Sequence, residues 1–142
     1  MPPAESNPPK HVRVRVEVSK GSHIKRGSKG EIDYLSPLPC PWNYGSAIDL
    51  MGADGDPLDV VVMGEKLETG AVVEVELQGH IPFLDLGLKD DKWVGAPAPL
   101  STQDIEELNR FFRRYAQAKR VANRLRRRRG EIRADPYHSW SE

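Results

Sequence analysis

The stretch Asp54-Gly55-Asp56-Pro57-Leu58-Asp59 constrains this chain more than any other, because it runs straight into Val60-Val61-Val62-Met63. Its carboxylates repel one another unless a cation sits between them. Gly55 frees the backbone, while Pro57 fixes its own φ and restricts Asp56. Such a bend is stiff and can aim several carboxylates at one point. The β-branched run that follows reads as buried strand, which anchors the acidic bend at the mouth of a core element. The bland alternative is an acidic surface turn, since Asp-Gly is common turn chemistry. An EF-hand calcium loop is excluded. Leu58 fills one of its ligand places, Asp59 stands where its sharp-turn glycine is required, and strand follows.

The chain has 142 residues, enough for one domain with a real core. Lysine plus arginine number 21 and aspartate plus glutamate 21, so the balance gives no argument for nucleic acid or an anionic membrane. Acids concentrate between Asp49 and Asp91, arginines between Arg110 and Arg133. Cys40 is the only cysteine, which rules out an intramolecular disulfide and fits a reducing, cytoplasmic compartment. No apolar run approaches the ~18–20 residues of a membrane span. Residues 1–10 read as a flexible, proline-rich leader without the apolar core of a signal peptide. A single domain is expected over 11–125, with a basic helix end and tail over 126–142.

From His11 to Val18, valines alternate with Arg13, Arg15 and Glu17, the pattern of a half-buried strand. Gly27 to Gly30 reads as a hairpin turn between Ile24–Arg26 and Glu31–Leu35. Pro37, Pro39 and Pro41 force an extended path to Trp42-Asn43-Tyr44-Gly45. Ala47 to Met51 reads as a brief connection into the acidic bend. Val73, Val75 and Leu77 alternate with polar residues as a further strand. Gly79 to Leu84 then leads into a second acidic group, Asp85-Leu86-Gly87-Leu88-Lys89-Asp90-Asp91-Lys92, and Trp93 to Ala96 is strand. His80 lacks metal-ligand spacing and is assigned a structural role.

Ser101 with Asp104 makes a capping-box start. Ile105, Leu108, Phe111 or Phe112, Tyr115, Ala118, Ala122 and Leu125 follow at helical spacing, with Arg113, Arg114, Lys119 and Arg120 largely off that stripe. Arg126 to Arg129 extend the basic face. A solvated helix end is the favoured reading and a nucleic-acid patch the minor one. Trp140 is expected to dock, with another subunit as one candidate.

Several aspartates without paired histidines or cysteines select hard, oxygen-seeking cations. Magnesium fits best, with manganese or zinc as substitutes. At this point the sequence resembles a known family, the soluble, single-domain, magnesium-dependent inorganic pyrophosphatases (family I). Asp54 to Val60 fits the family pattern D-[small or polar]-D-P-[apolar]-D-[apolar]. Asp85, Asp90 and Lys92 reproduce its D-x4-D-x-K spacing. Trp42 to Gly45 is similar to its aromatic-x-N-Y-G segment, Gly21 to Lys25 to its G-S-x-x-K segment, and Phe111 to Tyr115 to its late helix.

The resemblance implies an α+β fold, a small, twisted, closed β-barrel of OB-like connectivity with a flanking C-terminal helix. It implies hydrolysis of pyrophosphate to two phosphates. It assigns metal binding to Asp54, Asp59, Asp85 and Asp90, and the role of base to Asp56. Phosphate contacts go to Lys25, Tyr44, Lys92 and Tyr115, and a supporting acidic role to Glu17. It also implies a homo-oligomer. An alternative alignment through Lys29-Gly30-Glu31 brings Glu31 into that supporting role. The chain departs from the family at two points. No arginine stands near Ile32 to Tyr34, where the family has one that grips phosphate. Ala116 stands where the family usually has lysine, and Lys119 or a nearby arginine is the candidate substitute. Hydrolysis of another phosphoanhydride, or a catalytically weakened metal-binding relative, are the alternative functions.

Overall fold

Period-two alternation builds most of this molecule. The computed structural model describes residues 9–22, 24–26, 32–35, 39–51 and 57–140, with the backbone path alone for 24–26, 32–35 and 51. The elements run β1 (His11–Val18), β2 (Ile24–Arg26), β3 (Ile32–Leu35), β4 (Asn43–Met51), β5 (Pro57–Val62), β6 (Val72–Ile81), β7 (Phe83–Asp85), β8 (Leu88–Lys89), β9 (Lys92–Gly95), α1 (Thr102–Leu125), β10 (Arg133–Ala134) and β11 (His138–Ser139). The valines of β1 are buried, and its alternate residues are exposed or half-buried.

The strand order is β1-β4-β5-β9-β6, and β6 returns to pair with β1, which closes a five-stranded barrel. All these pairings are antiparallel except β5 with β9. The two faces of the strands feed two cores. Val12, Val14, Ala47, Leu58, Val60, Val62, Leu77 and Trp93 form one. Such alternate positions fill the inside of a small barrel. Val18, Val61, Ile81, Phe83 and Val94 point the other way and pack on Leu108, Phe112, Tyr115 and Ala116 of α1.

Ser101 caps α1 as expected, accepting from the Asp104 backbone N–H at 3.1 Å while Asp104 accepts from the Ser101 N–H at 3.2 Å. The buried face of the helix is Leu108, Phe112, Tyr115, Ala116 and Asn123. The expected stripe drifts off this face toward the C-terminus, and Leu125 is 82% exposed. Lys119 instead falls between Tyr115 and Asn123 on the buried side, four residues from each.

Three further expectations need correction. Residues 47–51 are not a connection but the second half of β4, paired to β1 through Ala47 and to β5 through Met51. Residues 79–81 continue β6, where they pair with β9. The arginine run does not lengthen α1: Arg126 caps it and Arg127 turns to φ +56°.

The tail folds back on the barrel. Ile132 is 3% exposed in the helix-side core, β10 pairs with β7, and β11 pairs with β6. Gly79 allows this approach, because a Cβ there would meet the His138 carbonyl oxygen at 2.2 Å. Trp140 docks within its own chain. Its Nε1 donates to His80 Nδ1 at 2.8 Å, and its ring meets Trp93 edge-on at 5.3 Å. Burial holds His80 below its usual pKa, which favours the neutral ring that this bond needs. Replacing Trp140 with alanine is expected to cost about 2–3 kcal/mol through lost packing and an orphaned His80 acceptor. Urea unfolding would show this as a lower midpoint with an unchanged slope.

Candidate active site

The parallel pairing of β5 with β9 sets Asp59 directly beside Lys92 in the ladder. Across the neighbouring strands the same row reads Ser46, Asp59, Lys92 and Ile81. Opposed residues share a face, so these side chains lie on the helix side of the barrel with Val61 and Val94. The next row places Tyr44 against Val61 on that same face. Glu17 reaches it from a register shift in β1 between Val16 and Val18, and Ser46 Oγ donates to Glu17 Oε1 at 2.8 Å.

Lys92 is the centre of the arrangement. It is 2% exposed, and its Nζ donates to Asp59 Oδ2 at 2.8 Å and to Asp90 Oδ2 at 2.7 Å. The ammonium also stands 5.0 Å from the Phe83 ring centre and 5.8 Å from that of Tyr44. Burial opposes its charge, but the two carboxylates outweigh that and hold its pKa well above the ordinary lysine value. The two carboxylates are half-buried and face each other across this one ammonium. Burial and the neighbouring Asp59 therefore push Asp90 up to about 7, against the pull of Lys92. The two shifts share one origin: desolvation of two carboxylates that face each other across a single described ammonium.

The second acidic segment is a hairpin. Asp85 faces Leu88 across a two-residue loop in which Leu86 has φ +54° and Gly87 φ +81°. The Asp90 N–H donates to the Phe83 carbonyl at 2.8 Å, which fixes Asp90 at the foot of the hairpin. Asp85, at the other end of β7, accepts from Lys119 Nζ at 2.7 Å. Lys119 in turn stands 5.4 Å from the Tyr115 ring centre, and Tyr115 tilts on Phe83 at 5.9 Å. Phe83 and Tyr115 thus lie between a carboxylate pair on one ammonium and a single carboxylate on another.

The site residues expected from sequence divide accordingly. Asp59, Asp90 and Lys92 are in direct contact, and Asp85 and Tyr115 join them through Lys119 and Phe83. Tyr44 and Glu17 share the same face of the sheet. Asp54, Asp56, Glu31 and the side chain of Lys25 lie outside the described residues. Among the described residues, no three carboxylate, imidazole or thiol groups are arranged to hold one metal ion. The donor chemistry still fits a hard divalent cation, since partly exposed aspartates already draw lysine ammonium groups into contact.

Lys119, the candidate substitute for the family's lysine, was placed off the apolar stripe, although it stands four residues from Tyr115. Two residues with a part in this region were not singled out as site residues from sequence. Ser46 follows Tyr44 by two, the strand period. Asn43 is fully buried. Its Nδ2 donates to the Glu65 carbonyl at 2.7 Å, while its Oδ1 accepts from the Leu67 N–H at 2.8 Å and the Lys20 N–H at 3.2 Å. It ties the loops around Tyr44 together. The adjoining Gly45 is required because a Cβ there would meet the Arg15 carbonyl oxygen at 2.0 Å.

A family model described as inorganic pyrophosphatase matches residues 8–131. The chain belongs to the inorganic pyrophosphatase family. It is 33% identical over 114 residues to the inorganic pyrophosphatase of Agrobacterium fabrum, a match that covers 74% of this chain and 64% of that relative. It is 30% identical to the Thermoplasma volcanium inorganic pyrophosphatase, covering 77% and 78% of the two chains. Among solved structures, one titled as an inorganic phosphatase from Anaplasma phagocytophilum superposes with a TM-score of 0.72 at 26% identity, over 96% of this chain and 89% of that one. The chain thus spans just under two thirds of the Agrobacterium relative's length. The closed five-stranded barrel with its single described helix is the family's architecture.

The Asp90 shift has a sign that can be checked. Its carboxyl keeps a proton up to about 7 when folded but releases it near the ordinary aspartate value of 3.8 when unfolded. Between these values the folded state binds more protons, so this group's contribution to stability is lost as pH rises through the window. In chelator-treated protein the urea midpoint should fall from pH 5 to pH 8, and Asp90→Asn should flatten that fall. A wild-type midpoint that is level or rises, with no difference in the variant, would remove the shared-cation account.

Proposed function

We propose that this chain hydrolyses inorganic pyrophosphate to two phosphates with the help of divalent metal ions, magnesium first among them. The observation that carries this reading is the buried Lys92 ammonium held between Asp59 and Asp90, in a member of the pyrophosphatase family. Asp54, Asp59, Asp85 and Asp90 are the residues that would hold the metal. Bound divalent ions supply charge neutralisation and can lower the pKa of water from about 15.7 towards ~7.

The residues of the chain take the remaining roles. Asp56 accepts the proton of the attacking water. The water oxygen bonds to one phosphorus as the bridging P–O bond breaks, and the second phosphate leaves with the bridging oxygen. Pyrophosphate is polyanionic, so its binding needs cations and hydroxyl donors aimed at its oxygens. Lys25, Tyr44, Lys92 and Tyr115 serve there, and Glu17 supports the wall through Ser46. The phenyl ring of Phe83 beside Lys92 excludes water from the ammonium and strengthens its field. We further assign the protein to a cytoplasmic setting and a homo-oligomer. The buried thiol of Cys40, pushed up to about 11 by desolvation, fits the first, and the exposed apolar side chains of Leu88, Val121 and Leu125 fit the second. Among the described residues no helix is long and apolar enough to cross a membrane.

The deciding assay is phosphate release from pyrophosphate with and without magnesium, beside tripolyphosphate and nucleoside triphosphates as competing substrates. Release from pyrophosphate alone, dependent on the metal, is expected. Asp56→Asn should lower kcat by about a hundredfold or more, the scale of a lost general base, while manganese affinity and the unfolding midpoint change little. Full activity in that variant would take the base assignment from Asp56.

A further inference from the structure

Lys119 raises a question that stability does not answer. A lysine on a helix surface ordinarily extends into water. This one is held between the Tyr115 ring at 5.4 Å and Asp85 Oδ2 at 2.7 Å, an oxygen supplied by a different element. Its side chain is 25% exposed and that of Asp85 28% exposed. Ordering so long a side chain offsets most of what a partly exposed pair returns. The contact is also easily exchanged, because both partners keep access to solvent. Lys92 differs: it is 3% exposed at the side chain and held from two sides.

We propose that Lys119 is an exchangeable internal cation. It occupies the Asp85 carboxylate until a divalent ion takes that oxygen, and the displaced ammonium then binds a phosphate oxygen of the anionic substrate beside Tyr115. The physical case is local. Asp85 accepts one compact positive charge at a time in this geometry, and a divalent ion is the stronger claimant for a hard oxygen. The freed ammonium stays tethered one helical turn from Tyr115, on the face of α1 that meets the β7–β8 hairpin. Metal binding and anion binding would therefore favour one another through a single side chain. The proposal rests on the reading of this site as one for metal and pyrophosphate.

The test uses the full chain with Lys119→Met and Lys119→Arg. Calorimetry would measure manganese binding in the absence of phosphate compounds. It would then measure methylenebisphosphonate, a non-hydrolysable pyrophosphate analogue, at saturating manganese. Lys119→Met should bind manganese about three- to tenfold more tightly, because its internal competitor is gone. It should bind the bisphosphonate about tenfold more weakly, the scale of one charged hydrogen bond. Lys119→Arg should recover part of the bisphosphonate affinity. Manganese and bisphosphonate affinities both within about twofold of wild type in Lys119→Met would overturn the proposal. Weaker manganese binding in that variant would do the same. Phosphate release by the wild type, measured in parallel, separates the two readings. Both shifts without hydrolysis would sink the catalytic reading and keep the exchange; hydrolysis without either shift would sink the exchange alone.

Discussion

One strand pairing governs the site. β5 and β9 run parallel, so the beginnings of both strands lie at the same end of the barrel. Each start carries a charged residue on the helix-side face, Asp59 on one strand and Lys92 on the other. An antiparallel pairing would have sent one of them to the far end. Parallel neighbours need a long crossover, and here β6, β7 and β8 supply it. The crossover is also useful chemically, because its hairpin delivers Asp85 and Asp90 to the end where Asp59 and Lys92 meet.

The same pairing explains the electrostatics. Two aspartates share one described ammonium, and all three groups are largely withdrawn from water. The cluster responds by holding Lys92 charged and by raising Asp90. A site of this kind has an appetite for cations built into its resting state. The Lys119–Asp85 pair repeats the motif at the next position, with an ammonium closer to solvent. Around both, the rings of Tyr44, Phe83 and Tyr115 lower the local dielectric, which enlarges every charge interaction within reach.

Structural duties are kept apart from this region. The inward valines with Leu58, Leu77 and Trp93 fill the barrel, and the helix closes one outer face through Leu108, Phe112 and Ala116. Asn43 spends its side-chain hydrogen bonds on the backbone of β5 and of the loops beside it. The tail seals β6 through Trp140 and His80. Asp59 and Asp90 are thus held by a lysine that is itself fully packed, whereas Asp85 is held by the more exposed Lys119.

Much of this was legible in the chain itself. Alternation every two residues gave β1 and β6, a β-branched run gave β5, and Ser101 with Asp104 marked where α1 begins, because these signals report constraints between close neighbours. The spacing of Asp54 to Asp59, and of Asp85, Asp90 and Lys92, pointed to the cation-seeking chemistry for the same local reason. Tertiary structure alone decided which carboxylates share Lys92, since that depends on strand order and register across 33 residues. It alone turned Lys119 inward, because a stripe read from hydrophobicity cannot show that a polar residue faces another element. It alone brought Trp140 back to its own barrel, through a sixty-residue contact with His80 that no local pattern encodes.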